Sequence, residues 1–233
     1  MMLPVKRVLE AAALALFVSG CVAAQPLTPA EALDRYLSGP RNQPAICSES
    51  VAAVRIDAAL PKLGKRGSMS GFKLVSATGQ TVYRGLRFTG DSLVKTAVIA
   101  RFLATDVRSP ERATAVTLDN YAFVYDRTAA YAALTAYVFR LKPRRKREGL
   151  FRGELWLEAS AARPLRLWGD FVKSPSIFIR DCRFVRDYEP AGPARTLVTA
   201  HTRIAGDAVM AVWMQPASCA AAGGLAEQDR ATQ

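Results

Sequence analysis

Few side chains in this sequence could perform catalysis, because its 233 residues include one histidine and four cysteines. The histidine, His201, alternates with Leu197, Thr199 and Arg203 along one face of a predicted strand. A lone histidine in that setting is typical of a hydrogen-bonded structural residue. The alternative is a general base that acts with a nearby Asp or Ser in a cleft, as in a secreted hydrolase.

No motif with catalytic or metal-binding spacing accompanies these residues. The sequence lacks a Gly-x-Ser-x-Gly turn, a His-Glu-x-x-His pair and a phosphate-binding loop. Its cysteines do not have the spacing of zinc ligands, and its carboxylates show no pairing that suits glycoside chemistry. We therefore expect a protein that is not an enzyme and that has no metal or cofactor.

The first 24 residues have the layout of an export signal, in which Lys6 and Arg7 precede an apolar stretch and then small residues. Two cleavage sites compete. The sequence Val18-Ser-Gly-Cys21 resembles a lipobox, after whose cleavage Cys21 would be acylated and become the N-terminus. The sequence Val22-Ala-Ala suits ordinary signal peptidase, which would cleave after residue 24. Both readings place the protein in the periplasm or cell envelope, and the first adds a lipid anchor in the outer membrane.

Export changes the interpretation of the other cysteines, because disulfides persist in an oxidising compartment. Cys47 and Cys219 flank the region of predicted strands. A bridge between them would join the two ends of the domain. Cys182 lies within a strand pattern, which favours a buried, small apolar residue.

A basic segment separates two strand patterns, and its centre is the run Arg144, Arg145, Lys146 and Arg147. Apolar residues alternate before and after this run, which predicts a hairpin tip. One interpretation is contact with an anionic membrane surface, where each cation contributes about 1 kcal/mol. The other is a solvated tip that discourages aggregation between sheet edges. The formal net charge of +12 attracts anionic partners in general, but export argues against nucleic acid.

The elements that must position these residues are mainly β-strands. A helix is expected at 28–37, where Thr28, Pro29 and Glu31 form an N-terminal capping signature. A second helix is expected at 91–105, with Asp91 as its cap. Alternating apolar and polar residues, bounded by Gly, Pro, Ser and Asp, predict ten strands. These are 51–57, 69–76, 80–88, 120–125, 134–141, 151–158, 165–173, 177–188, 196–204 and 208–214.

Length and composition favour one domain. Half of the residues are apolar, which excludes a wholly disordered chain. No apolar run approaches the roughly 18–20 residues that span a bilayer, which excludes a multi-span membrane protein. The second half has no helix that could form a crossover, so its strands are expected to be antiparallel. We expect a monomeric domain over 25–219 and a disordered tail over 220–233.

The strands at 151–158 and 165–173 predict a hairpin with two different faces. Trp156 and Trp168 fall on a mixed face, where cross-strand packing or a partner-binding patch are both compatible with the pattern. The other face is wholly apolar. The helix at 91–105 carries an apolar stripe that includes Val94 and Ala97, and we expect it to pack on this apolar face, either tightly or as a movable cover.

Three segments resemble the bacterial outer-membrane lipoprotein-sorting family (LolA/LolB-like). They are Tyr137-Val-Phe-Arg-Leu-Lys-Pro, Phe151-Arg-Gly-Glu-Leu-Trp-Leu-Glu and Arg163-Pro-Leu-Arg-Leu. The similarity continues through Val172-Lys-Ser-Pro-Ser-Ile-Phe and Arg183-Phe-Val-Arg-Asp-Tyr, and it spans residues 115–215. The basic run at 144–147 is more charged than expected for the family's soluble carrier, and an acylated Cys21 resembles its membrane-anchored acceptor instead.

The resemblance implies an α+β, mainly β fold: a curved antiparallel half-barrel whose concave apolar face is covered by helices. It also implies binding of an acyl chain, a lipoprotein or another apolar ligand. The alternatives are a secreted hydrolase that uses His201 and a ligand-free envelope scaffold. The residues expected to line the apolar cavity are Leu93, Val98, Phe102, Phe139, Phe151, Leu155, Leu157, Leu165, Leu167 and Phe171.

Overall fold

The computed structural model describes residues 26–39, 49–76, 78–109, 111–174, 179–188, 194–202 and 206–216. The predicted signal segment, Cys21, Cys47, Cys219 and the predicted tail lie outside the described residues. The strands are β1 Glu49–Leu60, β2 Lys65–Ser76, β3 Thr81–Gly90, β4 Tyr121–Tyr131, β5 Leu134–Pro143, β6 Phe151–Glu158, β7 Pro164–Phe171, β8 Ile179–Asp187, β9 Ala194–Thr202 and β10 Gly206–Pro216.

Helices precede β1 and connect β3 to β4. Helix α1 is Pro29–Ser38, and α2 is a continuous helical segment over 92–108 that consists of Ser92–Val94, a π-helical turn over Lys95–Ile99, and Ala100–Arg108. A short helix, α3, follows at Glu111–Thr114, and a 3₁₀ turn at Pro61–Leu63 joins β1 to β2.

All ten strands belong to one antiparallel sheet with the order β3-β2-β1-β10-β9-β8-β7-β6-β5-β4. Strands adjacent in sequence pair with each other from β1 to β3 and from β4 to β10, and β1 then pairs with β10. The sheet is not closed, because β3 and β4 are its two edges. The mainly β, antiparallel α+β fold predicted from the sequence is confirmed.

The register defines two faces of the sheet, because directly opposed residues on neighbouring antiparallel strands point to the same side. Met210 opposes Val198, Val198 opposes Phe184, and Phe184 opposes Gly169. We call the side that carries this row the helix face. Trp168 opposes Glu154 and Val185 on the other side, which we call the Trp face.

The helices bury their apolar side chains on the helix face, in two clusters. The first cluster lies over β1, β2 and β10 and receives Val94, Ile99 and Leu103 from α2. The second cluster lies over β4 to β8, and Leu33 and Tyr36 of α1 pack against it. The strand members of the first are Val54, Ile56, Ala58, Leu60, Met69, Ala208, Met210 and Val212; the second contains Tyr121, Phe139, Leu141, Leu150, Phe151, Leu155, Leu157, Leu167 and Phe184.

Helix α1 begins where the sequence predicts. The Glu31 carboxylate accepts the Thr28 amide at 2.8 Å, and the Thr28 hydroxyl accepts the Glu31 amide at 3.3 Å, so the predicted capping box is present. The chain just before it is held to the sheet, because the Leu27 amide donates to the Ala159 carbonyl at 2.9 Å and the Tyr137 hydroxyl donates to the Leu27 carbonyl. This attachment fixes α1 over the second cluster.

Helix α2 also forms at the predicted place, but it contacts a different part of the sheet than expected. Asp91 caps it by accepting the Leu93 amide at 2.8 Å, and the helix continues to Arg108. We expected its partner to be the apolar face of β6 and β7, whereas its buried residues belong to the first cluster. The reason is connectivity: α2 follows β3 after a single residue, and β3 is the edge beside β2 and β1.

Candidate functional site

The strand residues predicted to line an apolar cavity are buried against one another. Phe139, Phe151, Leu155, Leu157 and Leu167 all belong to the second cluster and are at most 4% exposed. Leu165 is buried on the same strand as Leu167, and Phe171 is half-buried at the edge of this cluster. Leu33 and Tyr36 of α1 pack against the same cluster.

The helical residues of the predicted set form a separate group over the first cluster. Val98 and Phe102 are half-buried and pack against that cluster from α2. Leu93, on the first turn of α2, is 39% exposed. The structure therefore does not bring the two halves of the predicted set together. Val198 on β9 packs against both clusters.

Two glycines allow three aromatic rings to meet on the helix face. Gly153 and Gly169 oppose each other on β6 and β7. A Cβ atom at Gly153 would lie 2.5 Å from the Cα of Gly169, and one at Gly169 would overlap the ring of Phe151. The Phe184 ring lies 4.8 Å from that of Phe151 and 5.3 Å from that of Phe171, between ring centroids. Neither Phe184 nor the glycine pair is among the residues predicted from the sequence to line the cavity.

Helix α2 is attached to the sheet by polar contacts at one edge. The Asp106 carboxylate accepts from the Tyr83 hydroxyl at 2.8 Å and pairs with the Lys73 ammonium at 2.8 Å. At the other end of the helix, the Lys65 ammonium lies 3.3 Å from the Asp91 carboxylate. Burial and the neighbouring Asp106 raise the pKa of Tyr83, so its hydroxyl remains a donor throughout the neutral range.

The basic run lies in the loop between β5 and β6, which pair with each other as the predicted hairpin. Its loop folds back on the segment that precedes β4. The Arg144 side chain donates to the Leu118 carbonyl at 2.7 Å, and the Arg147 side chain donates to the Ala113 carbonyl and, at 3.2 Å, to Asn120. Sequence periodicity could not reveal this arrangement, because each acceptor lies more than 20 residues away in the sequence.

A cationic groove of about 490 Å³ lies beside this loop. Its only carboxylate among the described lining residues, Asp170, already accepts from Arg183 at 2.8 and 3.0 Å. Phe171 and Val172 form an apolar part of the wall, and both also pack against the second cluster. The complete lining is Pro143, Arg144, Arg145, Lys146, Arg152, Asp170, Phe171 and Val172.

A second groove of about 740 Å³ crosses the Trp face at the other end of the sheet. Trp213 forms part of its wall, and the guanidinium groups of Arg55 and Arg195 each lie 5.8 Å from the Trp213 ring centroid. Phe72 and Leu86 add apolar surface. None of the predicted cavity residues lines this groove.

The two tryptophans of the β6–β7 hairpin lie on the Trp face as predicted, where they share one acceptor. The Trp156 and Trp168 indoles donate to the same Glu154 oxygen at 2.9 and 3.1 Å. Arg127 from β4 donates to both Glu154 oxygens at 3.2 Å. This polar cluster belongs to the cross-strand packing of the sheet.

His201 lies on the exposed side of β9, where its imidazole contacts the Asp207 carboxylate. The imidazole is 62% exposed. Among the described residues no serine or cysteine is bonded to it. The geometry required of a hydrolase base, a cleft with a nucleophile in reach, is not formed by the part of the chain that the structure describes.

The described residues include neither a candidate metal site nor a candidate membrane-spanning helix. No group of three or more His, Cys, Asp or Glu side chains lies close enough together to hold a metal ion. No helix within the described ranges is long and apolar enough to cross a membrane.

Comparison with known proteins returns similarity at the level of structure. No family model matches the sequence, and no curated protein matches it. A LolA superfamily protein from Nitrosomonas europaea is 14% identical, with a TM-score of 0.44 over 78% of this chain and 90% of that one.

Two other solved structures are similar to this chain. A DUF1329 family protein from Desulfovibrio piger is 11% identical, with a TM-score of 0.40 over 80% of this chain and 90% of that one. A domain described as an outer membrane lipoprotein-sorting protein from Vibrio parahaemolyticus is 11% identical, with a TM-score of 0.39 over 79% and 89%. The solved structures similar to this chain thus include the family that the sequence resembles.

Proposed function

We propose that this protein is a cell-envelope binding protein that holds an acyl chain, a lipoprotein or another apolar ligand between the sheet and its helices. The proposal takes the helix face to be the concave side of a half-barrel and places the ligand among Leu93, Val98, Phe102, Phe139, Phe151, Leu155, Leu157, Leu165, Leu167 and Phe171. Opening of α2 would admit the ligand.

The observation that carries the proposal is the incomplete closure of α2 over an apolar surface. Val94, Ile99 and Leu103 are buried, but Val98 and Phe102 on the same helix remain half-exposed and Leu93 is exposed. A π-helical turn interrupts the helix at Lys95–Ile99, and such turns are frequent at functional sites. Burial of apolar ligand surface contributes about 25 cal/mol per Å² to the free energy of binding, which would offset the loss of the apolar contacts that α2 makes with the sheet.

The polar contacts of α2 suit a hinged cover. Asp106 bonds to Tyr83 on β3 and to Lys73 on β2, and Asp91, just before the helix, pairs with Lys65 on β2. Displacing the helix towards that edge would expose the first cluster and the adjoining Val198, which also packs against the second cluster.

Phe102→Ala tests the cover. If α2 opens, we expect this substitution to change the affinity for an apolar fluorescent dye and to lower the free energy of unfolding by less than about 2 kcal/mol. Leu103→Ala is the matched control, because Leu103 is 7% exposed in the first cluster and its truncation should cost about 2–5 kcal/mol. A loss of about 3–5 kcal/mol for Phe102→Ala with unchanged dye binding would show a closed core instead.

Ligand identity requires a separate measurement. Native mass spectrometry of the purified protein should show co-purified lipid that is released when the protein unfolds. A uniformly ligand-free protein that also fails to bind a monoacylglycerol would support the scaffold alternative.

We further propose that Arg144, Arg145, Lys146 and Arg147 face the anionic membrane, and that acylated Cys21 anchors the chain to the outer membrane.

A further inference from the structure

The cationic groove beside the basic loop has an unbalanced charge. Arg144, Arg145, Lys146 and Arg152 line it, and three of them come from the loop while Arg152 comes from β6. Asp170 is the carboxylate in the lining, and both of its oxygens accept hydrogen bonds from the Arg183 guanidinium. An anion in the groove therefore meets four cations whose charge Asp170 does not offset.

The loop that carries these cations is held in place. The Arg144 amide donates to the Asn120 carbonyl at 2.8 Å, in addition to the side-chain bond to Leu118. Leu150 is 1% exposed and accepts the Val172 amide at 2.9 Å. Gly149 adopts a φ of 82° and lies against Thr114, where a side chain would not fit. The backbone of the loop is thus ordered before a ligand binds, which reduces the conformational entropy lost on binding.

The apolar wall of the groove distinguishes a lipid from a free anion. Phe171 and Val172 line the groove and also pack against the second cluster. Pro143, the last residue of β5, adds further apolar surface to the groove. A ligand with an anionic head and an apolar tail could therefore bind the cations and continue along apolar surface toward the core, whereas inorganic phosphate would use the cations only.

We propose that this groove binds the phosphate of an anionic phospholipid headgroup, with Arg145, Lys146 and Arg152 as its ligands and with Phe171 and Val172 against the first methylene groups. The inference rests on the proposed lipid-binding function and gives the ligand a defined headgroup site. It differs from diffuse attraction to a charged membrane, because it requires particular cations rather than any cations.

Vesicle flotation with two charge-matched double variants tests this requirement. Lys146→Gln/Arg152→Gln removes two cations from the groove, and Arg84→Gln/Arg87→Gln removes two exposed cations from β3 at the far edge of the sheet. On phosphatidylcholine vesicles with about 30% phosphatidylglycerol, we expect the groove variant to bind about tenfold more weakly and the edge variant less than about twofold. Equal losses would overturn the proposal in favour of diffuse attraction. Circular dichroism and thermal unfolding check that both variants fold.

Competition separates the two sources of the anion. Soluble dihexanoyl-phosphatidylglycerol should displace the protein from these vesicles at about tenfold lower concentration than inorganic phosphate. Equal potency of the two competitors would identify a free-phosphate site and overturn the lipid assignment.

Dye displacement by uncharged monoolein distinguishes the groove from the proposed apolar site. The groove variant should retain wild-type displacement, because it leaves the surface beneath α2 unchanged. Loss of monoolein binding in that variant would contradict a separate headgroup site. If wild-type protein fails to bind monoolein while phosphatidylglycerol binding still depends on Lys146 and Arg152, the proposed apolar site is wrong and the headgroup site stands.

Discussion

At the scale of single residues, the Glu154 carboxylate connects three neighbouring strands through side-chain hydrogen bonds. Its side chain is 14% exposed and accepts hydrogen bonds from β4, β6 and β7, through Arg127, Trp156 and Trp168. Arg127 also lies over the Trp156 ring, 5.5 Å from its centroid. Removal of the carboxylate leaves three donors without their shared acceptor, which links the stability of the Trp face to one group.

The first prediction follows from this geometry. Burial alone would raise the pKa of Glu154, but the hydrogen bonds from Arg127, Trp168 and Trp156 outweigh it and hold the pKa below its usual value of 4.5. Because the pKa is lower in the folded state, the ionised carboxylate stabilises the fold above about pH 4.5, and this stabilisation is lost as the pH falls through the lower folded value. Wild type should therefore lose stability on acidification relative to Glu154→Gln.

Urea unfolding between about pH 3 and pH 6 measures this effect. We also expect Glu154→Ala to lower the free energy of unfolding at neutral pH by about 2 kcal/mol. Asp119→Asn, at an exposed position before β4, serves as the control. It should leave unchanged both the free energy of unfolding at neutral pH and its dependence on pH. A constant difference between wild type and Glu154→Gln across this pH range would contradict the assignment.

At the scale of elements, the β6–β7 hairpin depends on the absence of two side chains. Gly153 and Gly169 oppose each other on the helix face, below the rings of Phe151, Phe171 and Phe184. Backbone conformation is not the reason for glycine at these positions, because neither has a positive φ. The reason is space, since a Cβ at either position meets the backbone of the facing strand.

We accordingly predict that Gly153→Ala lowers the free energy of unfolding by about 1–3 kcal/mol, because β6 and β7 must separate to admit the methyl group. Chemical denaturation measures the change. Gly64→Ala is an instructive control: no atom lies within 4 Å of its Cβ position, but its φ of 62° strains any other residue. If close approach dominates, Gly153→Ala destabilises more than Gly64→Ala; the reverse order would contradict the packing argument.

At the scale of the whole molecule, one connection joins the two edge strands of the sheet. Strands β3 and β4 are its opposite edges, and the chain between them consists of α2, α3 and the loop over 115–120. The same loop provides the carbonyl of Leu118 and the side chain of Asn120, which hold Arg144 and Arg147. The chain that continues from α2 therefore also holds the basic loop in place.

The location of the protein leads to a prediction about Cys21, which lies outside the described residues. If the sequence Val18-Ser-Gly-Cys21 is a lipobox, metabolic labelling with palmitate should mark the wild type and leave Cys21→Ser unlabelled. An unlabelled wild type whose mature N-terminus is Gln25 would show cleavage by ordinary signal peptidase and a soluble periplasmic protein.

The last prediction concerns the remaining cysteines. A bridge between Cys47 and Cys219 would close a long loop and stabilise the fold by about 4–5 kcal/mol from chain entropy. Non-reducing peptide mapping should recover the linked pair. A free Cys219 in the native protein would exclude the bridge.

Cys182 is expected to be unreactive in the folded protein. Burial, with a smaller effect of Asp170, raises the pKa of the Cys182 thiol to about 11, so a thiol reagent at neutral pH should modify it only after unfolding.

Several features could be predicted from the sequence because they depend on neighbours along the chain. Alternation of apolar and polar residues predicted the ten strands and separated Leu155 from Trp156, and the Thr28–Glu31 capping box placed α1. The apolar stripe of 91–105 predicted α2, but the buried side of the helix is shifted from the predicted one: Ile99 and Leu103 are buried, whereas Leu93 and Ala97 are exposed. Each of these features is decided by side-chain direction or by a hydrogen bond within one turn.

Tertiary structure alone decided which apolar surfaces meet. The stripe of α2 would suit either cluster, and the connection to edge strand β3 placed it on the first while the Leu27–Ala159 bond placed α1 on the second. The pairing of β1 with β10, the fold-back of Arg144 and Arg147, and the contact across Gly153 also involve partners distant in sequence. The physical reason is that hydrophobic burial is not directional: it determines that a surface must be covered, and chain connectivity with hydrogen-bond register determines what covers it.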